Sequence, residues 1–134
     1  MTLALAALLT GVARAQDTSV TVQPAPVVEV VLTRAVVDRI PQDTVATIAA
    51  PAELDSLFLW TRVTGATSGT VIHHVWLHGD EEVADVALTV RGSPWRTWSK
   101  KTIPAGMTGA WRVEVRDDAG NVLQRVQFTV GSGA

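Results

Sequence analysis

Ala110-Trp111-Arg112-Val113-Glu114-Val115-Arg116 alternates bulky apolar and charged side chains from Trp111 onward. Successive side chains of a strand point to opposite faces. The spacing therefore predicts a half-buried strand with Trp111, Val113 and Val115 inward and Arg112, Glu114 and Arg116 outward. Downstream, Asp117 to Asn121 (DDAGN) reads as a turn, and Val122 to Val130 as a returning strand with Val126, Phe128 and Val130 inward. Upstream, Val83 to Arg91 alternates in the same way, with Ala84, Val86, Leu88 and Val90 inward and Asp85, Thr89 and Arg91 outward.

Four further segments share the pattern: Val27 to Val37, Leu57 to Thr64, Val71 to His78 and Trp95 to Lys101. In the first, Val28, Val30 and Leu32 share a face; in the second, Phe58 and Trp60 share one face and Leu57 and Leu59 the other. Turn signals separate them: Gly65 and Gly69, Gly79-Asp80-Glu81, Gly92-Ser93-Pro94, and the loop from Ile103 to Gly109. Asp38 to Leu54 is a long connection, with one helical turn expected near Ala52-Glu53-Leu54. Val, Ile and Thr, whose branched Cβ atoms suit a pleated strand, make up 38 of the 119 residues after position 15. Short strands at this spacing predict an all-β fold, an antiparallel Ig-like β-sandwich of about seven strands. The expected core includes Trp60, Trp76, Trp111, Val113, Val115 and Phe128. No βαβ pattern or phosphate-cradling glycine motif is present.

The N-terminus carries an address. Leu3 to Val12 is an apolar run of ten residues followed by Ala13-Arg14-Ala15, an A-x-A cleavage pattern. Ten apolar residues are too few for a membrane span, which needs about 20. The organisation read from this is a signal peptide over 1–15, a polar proline-containing linker over 16–26, the sandwich over 27–131 and a tail over 132–134. The expected location is outside the cytoplasm, most naturally the periplasm, with membrane tethering if the N-terminal segment is not cleaved. The chain has no cysteine, which excludes disulfides, thiolate metal sites and cysteine nucleophiles. A net charge of −2 does not suggest nucleic-acid binding.

All three histidines lie in His73-His74-Val75-Trp76-Leu77-His78. On a strand His73 and His74 face apart, and His74 and His78 sit about 13 Å apart, so no two can chelate one metal. No metal and no cofactor are expected. His74 reads either as a surface residue flanking Trp76 or as a buried, hydrogen-bonded core histidine. Five of the seven aromatic residues are Trp, and Trp95-Arg96-Thr97-Trp98-Ser99-Lys100-Lys101 holds two of them with both lysines of the chain. Alternation places Arg96, Trp98 and Lys100 on one face, where cations at i±2 could stack on Trp98. If the strand of Arg112 and Arg116 lies beside this one, both would extend the ladder. Such a ladder could be a binding surface or a device that stiffens the sheet. The candidate surface is Arg96, Trp98, Lys100 and Arg112, with Trp95 and His74 beside them. Catalysis has little support: Ser99 and Lys100 face apart, no nucleophile elbow occurs, and Asp80-Glu81-Glu82 falls in a turn. A small hydrolase would need His74 and Ser99 within hydrogen-bond reach in a cleft.

Several of these stretches together resemble an uncharacterised bacterial family, number 2914 in the domain-of-unknown-function series. They are Ile72-His73-His74-Val75-Trp76, Trp95-Arg96-Thr97-Trp98-Ser99-Lys100, Gly109 to Val115, Asp118-Ala119-Gly120 and Phe128-Thr129-Val130, with Asp38-Arg39-Ile40-Pro41 similar to an early D-R-x-P element. The likeness spans roughly Val27 to Val130. It implies an exported or membrane-tethered domain and no assigned activity. The expectation is a non-catalytic interaction or structural accessory module that docks onto a membrane-associated protein assembly or envelope component. Its expected partner is a protein, membrane-bound or soluble; a glycan stacked on Trp is the alternative. Oligomeric state is left open.

Overall fold

The computed structural model describes residues 25–48 and 55–131. The signal peptide, most of the linker, the helical turn near 52–54 and the tail fall outside the described residues. Among the described residues ten strands follow in order: β1 (Val27–Thr33), β2 (Val36–Val37), β3 (Ile40–Pro41), β4 (Thr47–Ile48), β5 (Asp55–Thr64), β6 (Thr70–His78), β7 (Glu81–Val90), β8 (Trp95–Ile103), β9 (Gly109–Asp117) and β10 (Val122–Val130). A three-stranded sheet of order β1-β5-β8 packs on a five-stranded sheet of order β4-β10-β9-β6-β7, and β2-β3 forms a separate hairpin. The result is an all-β sandwich. Its ladders are antiparallel apart from the short parallel pairing of β4 with β10.

All seven long strands expected from alternation are present, shifted at their ends by a few residues. The first is shorter than expected. Thr33 Oγ1 donates to an Asp43 carboxylate oxygen at 2.6 Å, and that oxygen also accepts from the Arg34 amide at 2.8 Å. These bonds turn the chain after Thr33, so Val36 and Val37 leave β1 and open the hairpin.

The two sheets enclose one apolar core. Leu57, Leu59 and Val63 of β5 meet Ile72 and Trp76 of β6, Trp111, Val113 and Val115 of β9, and Phe128 and Val130 of β10. The Phe128 ring stacks on Trp111 at 5.7 Å and meets Trp76 edge-on at 6.5 Å. Aromatic pairs in these geometries contribute roughly 0.5–1.5 kcal/mol beyond burial, and truncating such a ring to Ala costs roughly 3–5 kcal/mol. Trp60 is buried, as expected of a core residue, but at a different place. It stands outside the cluster, on the outer face of the three-stranded sheet, where its indole N–H donates to the Arg39 carbonyl at 2.9 Å. Strand parity puts Leu57 and Leu59 inward and therefore Phe58 and Trp60 outward.

Candidate functional site

Cross-strand register builds the outer face of the three-stranded sheet in rows. Glu29 lies opposite Arg62, and Arg62 opposite Arg96; Val31, Trp60 and Trp98 form the next row; Thr33, Phe58 and Lys100 the third. Glu29 is the only acid of these nine residues. It meets Arg62 at 3.8 Å, which leaves Arg96 beside a like charge. Lys100 stands 5.8 Å from the centre of the Phe58 ring. The expected stacking on Trp98 is replaced by this contact, because residues directly opposite on paired strands lie closer than i±2 neighbours on one strand.

The β2–β3 hairpin folds over this face. Its two-residue turn is Asp38-Arg39, with φ of 52° and 65°. Tight turns of this form favour Asn and Gly because both central residues need positive φ. Arg39 accepts that conformation and lines two grooves. One, about 510 Å³, is bounded by Arg39, Ile40, Pro41, Trp60, Arg62 and Pro94 together with Glu29, Trp95 and Arg96. The other, about 360 Å³, lies between β7 and β8, where Arg39, Trp95 and Arg96 recur and Arg91, Leu88 and Trp98 join them. The two share a waist of Arg39, Trp95 and Arg96 and form one furrow. Of the described residues, four arginines and a single glutamate line it. Among the described residues, the guanidinium groups of Arg39, Arg91 and Arg96 have no hydrogen-bond or ion-pair partner.

The expected surface residues separate. Arg96, Trp98 and Lys100 come together, and Trp95 borders the same furrow although its ring also packs against the core. Arg112 does not join them. β9 lies in the five-stranded sheet between β10 and β6, so Arg112 and Arg116 occupy the opposite side of the sandwich. There they close on Glu114: Arg112 Nε donates at 2.9 Å, Arg116 Nε at 2.8 Å and Arg116 Nη2 at 2.6 Å. Burial alone pushes the Glu114 carboxyl up; the hydrogen bonds from Arg116 and Arg112 more than offset this and hold its pKa below the usual value.

His74 is not on the surface either. Ile72, His74 and Trp76 face the core, and His74 is fully buried. Its bonds form a chain between the sheets. Thr61 Oγ1 donates to the Thr97 carbonyl at 2.9 Å, so its oxygen accepts from His74 Nε2–H at 3.3 Å. His74 Nδ1 then accepts from the Ser99 hydroxyl at 2.7 Å, and Ser99 Oγ accepts from the Trp76 indole at 3.3 Å. Every polar atom of the imidazole is used by the neutral ring, and burial depresses the His74 pKa to about 3. Ser99 and His74 are within the reach a hydrolase would need, yet both are buried and they line no groove described above.

His73, one residue earlier, points outward. Nδ1 lies 2.8 Å from an Asp85 oxygen and Nε2 2.8 Å from an Asp118 oxygen. Only the imidazolium can donate from both nitrogens. The bonds to Asp118 and Asp85 accordingly raise its pKa, against a smaller opposing effect of burial.

Arg39, Arg62 and Arg91 are not among the surface residues expected from the sequence, although Arg39 stands in the D-R-x-P-like element and Arg91 ends an alternating strand. Arg62 had a signal, since alternation along Leu57 to Thr64 puts it with Phe58 and Trp60. Arg39 and Arg91 reach the furrow through loop geometry that no local pattern encodes.

Comparisons with known proteins agree with the fold and the motifs. Residues 69–130 match the model of the family described as a protein of unknown function, DUF2914, the family that the motifs resemble. The match is narrower than the expected span: it holds Arg91, Trp95, Arg96 and Trp98 and excludes Arg39 and Arg62. No curated protein matches the chain. The solution structure of the CARDB domain of PF1109 from Pyrococcus furiosus is similar with a TM-score of 0.50 at 9% identity, over 80% of this chain and 96% of that one. The crystal structure of the same domain in complex with di-metal ions gives a TM-score of 0.48 at 10% identity, over 84% and 98%. A β-glucosidase from Listeria innocua, in complex with glucose, gives 0.44 at 11% identity, over 79% of this chain and 16% of the enzyme. Likeness at such identities concerns the fold alone.

Proposed function

We propose that the chain is a non-catalytic, exported β-sandwich that docks an acidic partner in the cell envelope through the furrow over β8. One observation carries this reading: three guanidinium groups without acceptors among the described residues surround a tryptophan-lined furrow on a chain whose net charge is −2. A guanidinium is always charged and is suited to bidentate carboxylate recognition. Interfaces use Trp and Arg as anchors, and Trp95 and Trp98 are half-buried here while Trp60, Trp76 and Trp111 are buried. Export is supported by the apolar run Leu3 to Val12 and the A-x-A pattern after it. The Ser99–His74 pair serves as a polar tie between the sheets.

A carbodiimide cross-linker joins an amine directly to a carboxylate in contact with it. Applied to cells expressing the exported chain, it should couple Lys100 to an acidic residue of a partner. The double variant Arg39→Glu, Arg96→Glu should lose that cross-link while melting as the parent does. A cross-link that survives both charge reversals sinks the reading.

A further inference from the structure

The furrow borders two sheet edges. β8 is the last strand of the three-stranded sheet and β7 the last of the five-stranded sheet, and among the described residues neither has a second neighbour. An unpaired strand edge presents a row of amide N–H and carbonyl groups that another strand can complete. From this we infer that the acidic partner binds as an extended peptide segment, adding a fourth strand beside β8. The inference rests on the docking reading above and specifies its ligand.

Register dictates what the segment must carry. On the outer face β8 presents Arg96, Trp98 and Lys100 at positions i, i+2 and i+4. A strand laid beside it has the same repeat of about 6.8 Å between alternate side chains. Each existing row then gains one member: an acid opposite Arg96, an apolar residue opposite Trp98 and an acid opposite Lys100. Arg96 faces Arg62 on its other side, so an acid there relieves a like-charge pair. The groove between β7 and β8 supplies room for the added chain, with Arg91 on its far wall. The backbone requirement selects a polypeptide over other anions, since neither a uronic-acid chain nor a lipid headgroup can complete a strand edge.

The probe is the blocked peptide acetyl-Thr-Glu-Thr-Val-Thr-Glu-Thr-amide, titrated into the full chain by isothermal calorimetry and followed by amide NMR shifts. Binding is expected, with shifts concentrated on Trp95 to Ile103. Arg96→Glu should weaken it about tenfold or more. N-methylation of alternate peptide amides along the pairing edge should weaken it comparably, and this arm leaves the protein untouched. Equal binding of the N-methylated peptide, or of a sequence-scrambled one, overturns strand addition while the acidic docking reading stands. Binding of oligogalacturonate or of phosphatidylglycerol vesicles without binding of the peptide overturns the inference and transfers the furrow to that ligand. No binding by any probe, in a chain that melts cooperatively, overturns the peptide inference and counts against the docking reading with it.

Discussion

Around β6 the buried histidine and the ionic groups of the outer face close on partners inside the molecule. On the inner side His74 is bonded at both ring nitrogens to Thr61 and Ser99; on the outer side His73 is clamped by Asp85 and Asp118, and Glu114 by Arg112 and Arg116. Around β8 the same kinds of residue stand open: among the described residues Arg39, Arg91 and Arg96 have no acceptor, and the acid nearest Arg96 in its row is already engaged by Arg62. Charged and aromatic residues are present in both regions. Their presence therefore does not separate a structural network from a binding surface. The separation comes from whether donors and acceptors close on one another.

If that contrast is right, perturbing β6 should cost stability and perturbing the furrow should not. The largest effect is acid sensitivity from His74. Its folded pKa, about 3, lies below its ordinary value of 6.5, so its contribution is present above pH 6.5 and is lost as pH falls toward 3. The loss over that window is roughly 5 kcal/mol from this residue. Urea unfolding at a series of pH values should show the slope, and His74→Gln should flatten it. A wild-type stability that stays level between pH 6.5 and 4 would contradict the buried neutral ring.

Glu114→Gln should cost about 3 kcal/mol by urea unfolding at pH 7, because two partly buried guanidinium groups lose their shared carboxylate. A cost below about 0.5 kcal/mol would make this network no more structural than ordinary surface residues. His73 should show the opposite pH sign from His74. Its folded pKa is raised, so its contribution is complete below pH 6.5 and fades as pH rises through the higher folded value. His73→Gln should remove that alkaline loss, which for a half-exposed pair is about 1 kcal/mol or less. NMR titration of the imidazole checks the direction.

The smallest effect should carry the reverse sign. Arg39→Gly relieves a residue held at φ 65° and should raise stability by about 0.5–1 kcal/mol, while weakening the furrow's hold on carboxylates. A chain that is stabilised and still binds its acidic partner undiminished would show that Arg39 is not part of the site.

Much of the fold was legible because strand alternation is a local property. The inward sets of β6, β9 and β10 follow from parity alone, and the facing of Arg96, Trp98 and Lys100 follows in the same way. The burial of Trp60 was legible, but its cover was not: a hairpin from a distant part of the chain shields it on the outer face. His74 had two readings in the sequence, and the neighbours that select one, Thr61 and Ser99, lie 13 and 25 residues away.

The course of the seven long strands, the side chains that share a face and the concentration of cations and tryptophans at Trp95 to Lys101 are all written locally in the amino-acid order. Strand neighbourhood arises only in the folded molecule. It placed Arg112 with Glu114 rather than with Arg96, and brought Arg39, Arg62 and Arg91 to one furrow. The reason is physical: alternation is imposed by the backbone of each strand, residue by residue. Pairing order is imposed by burying both inner faces at once, which depends on the whole chain.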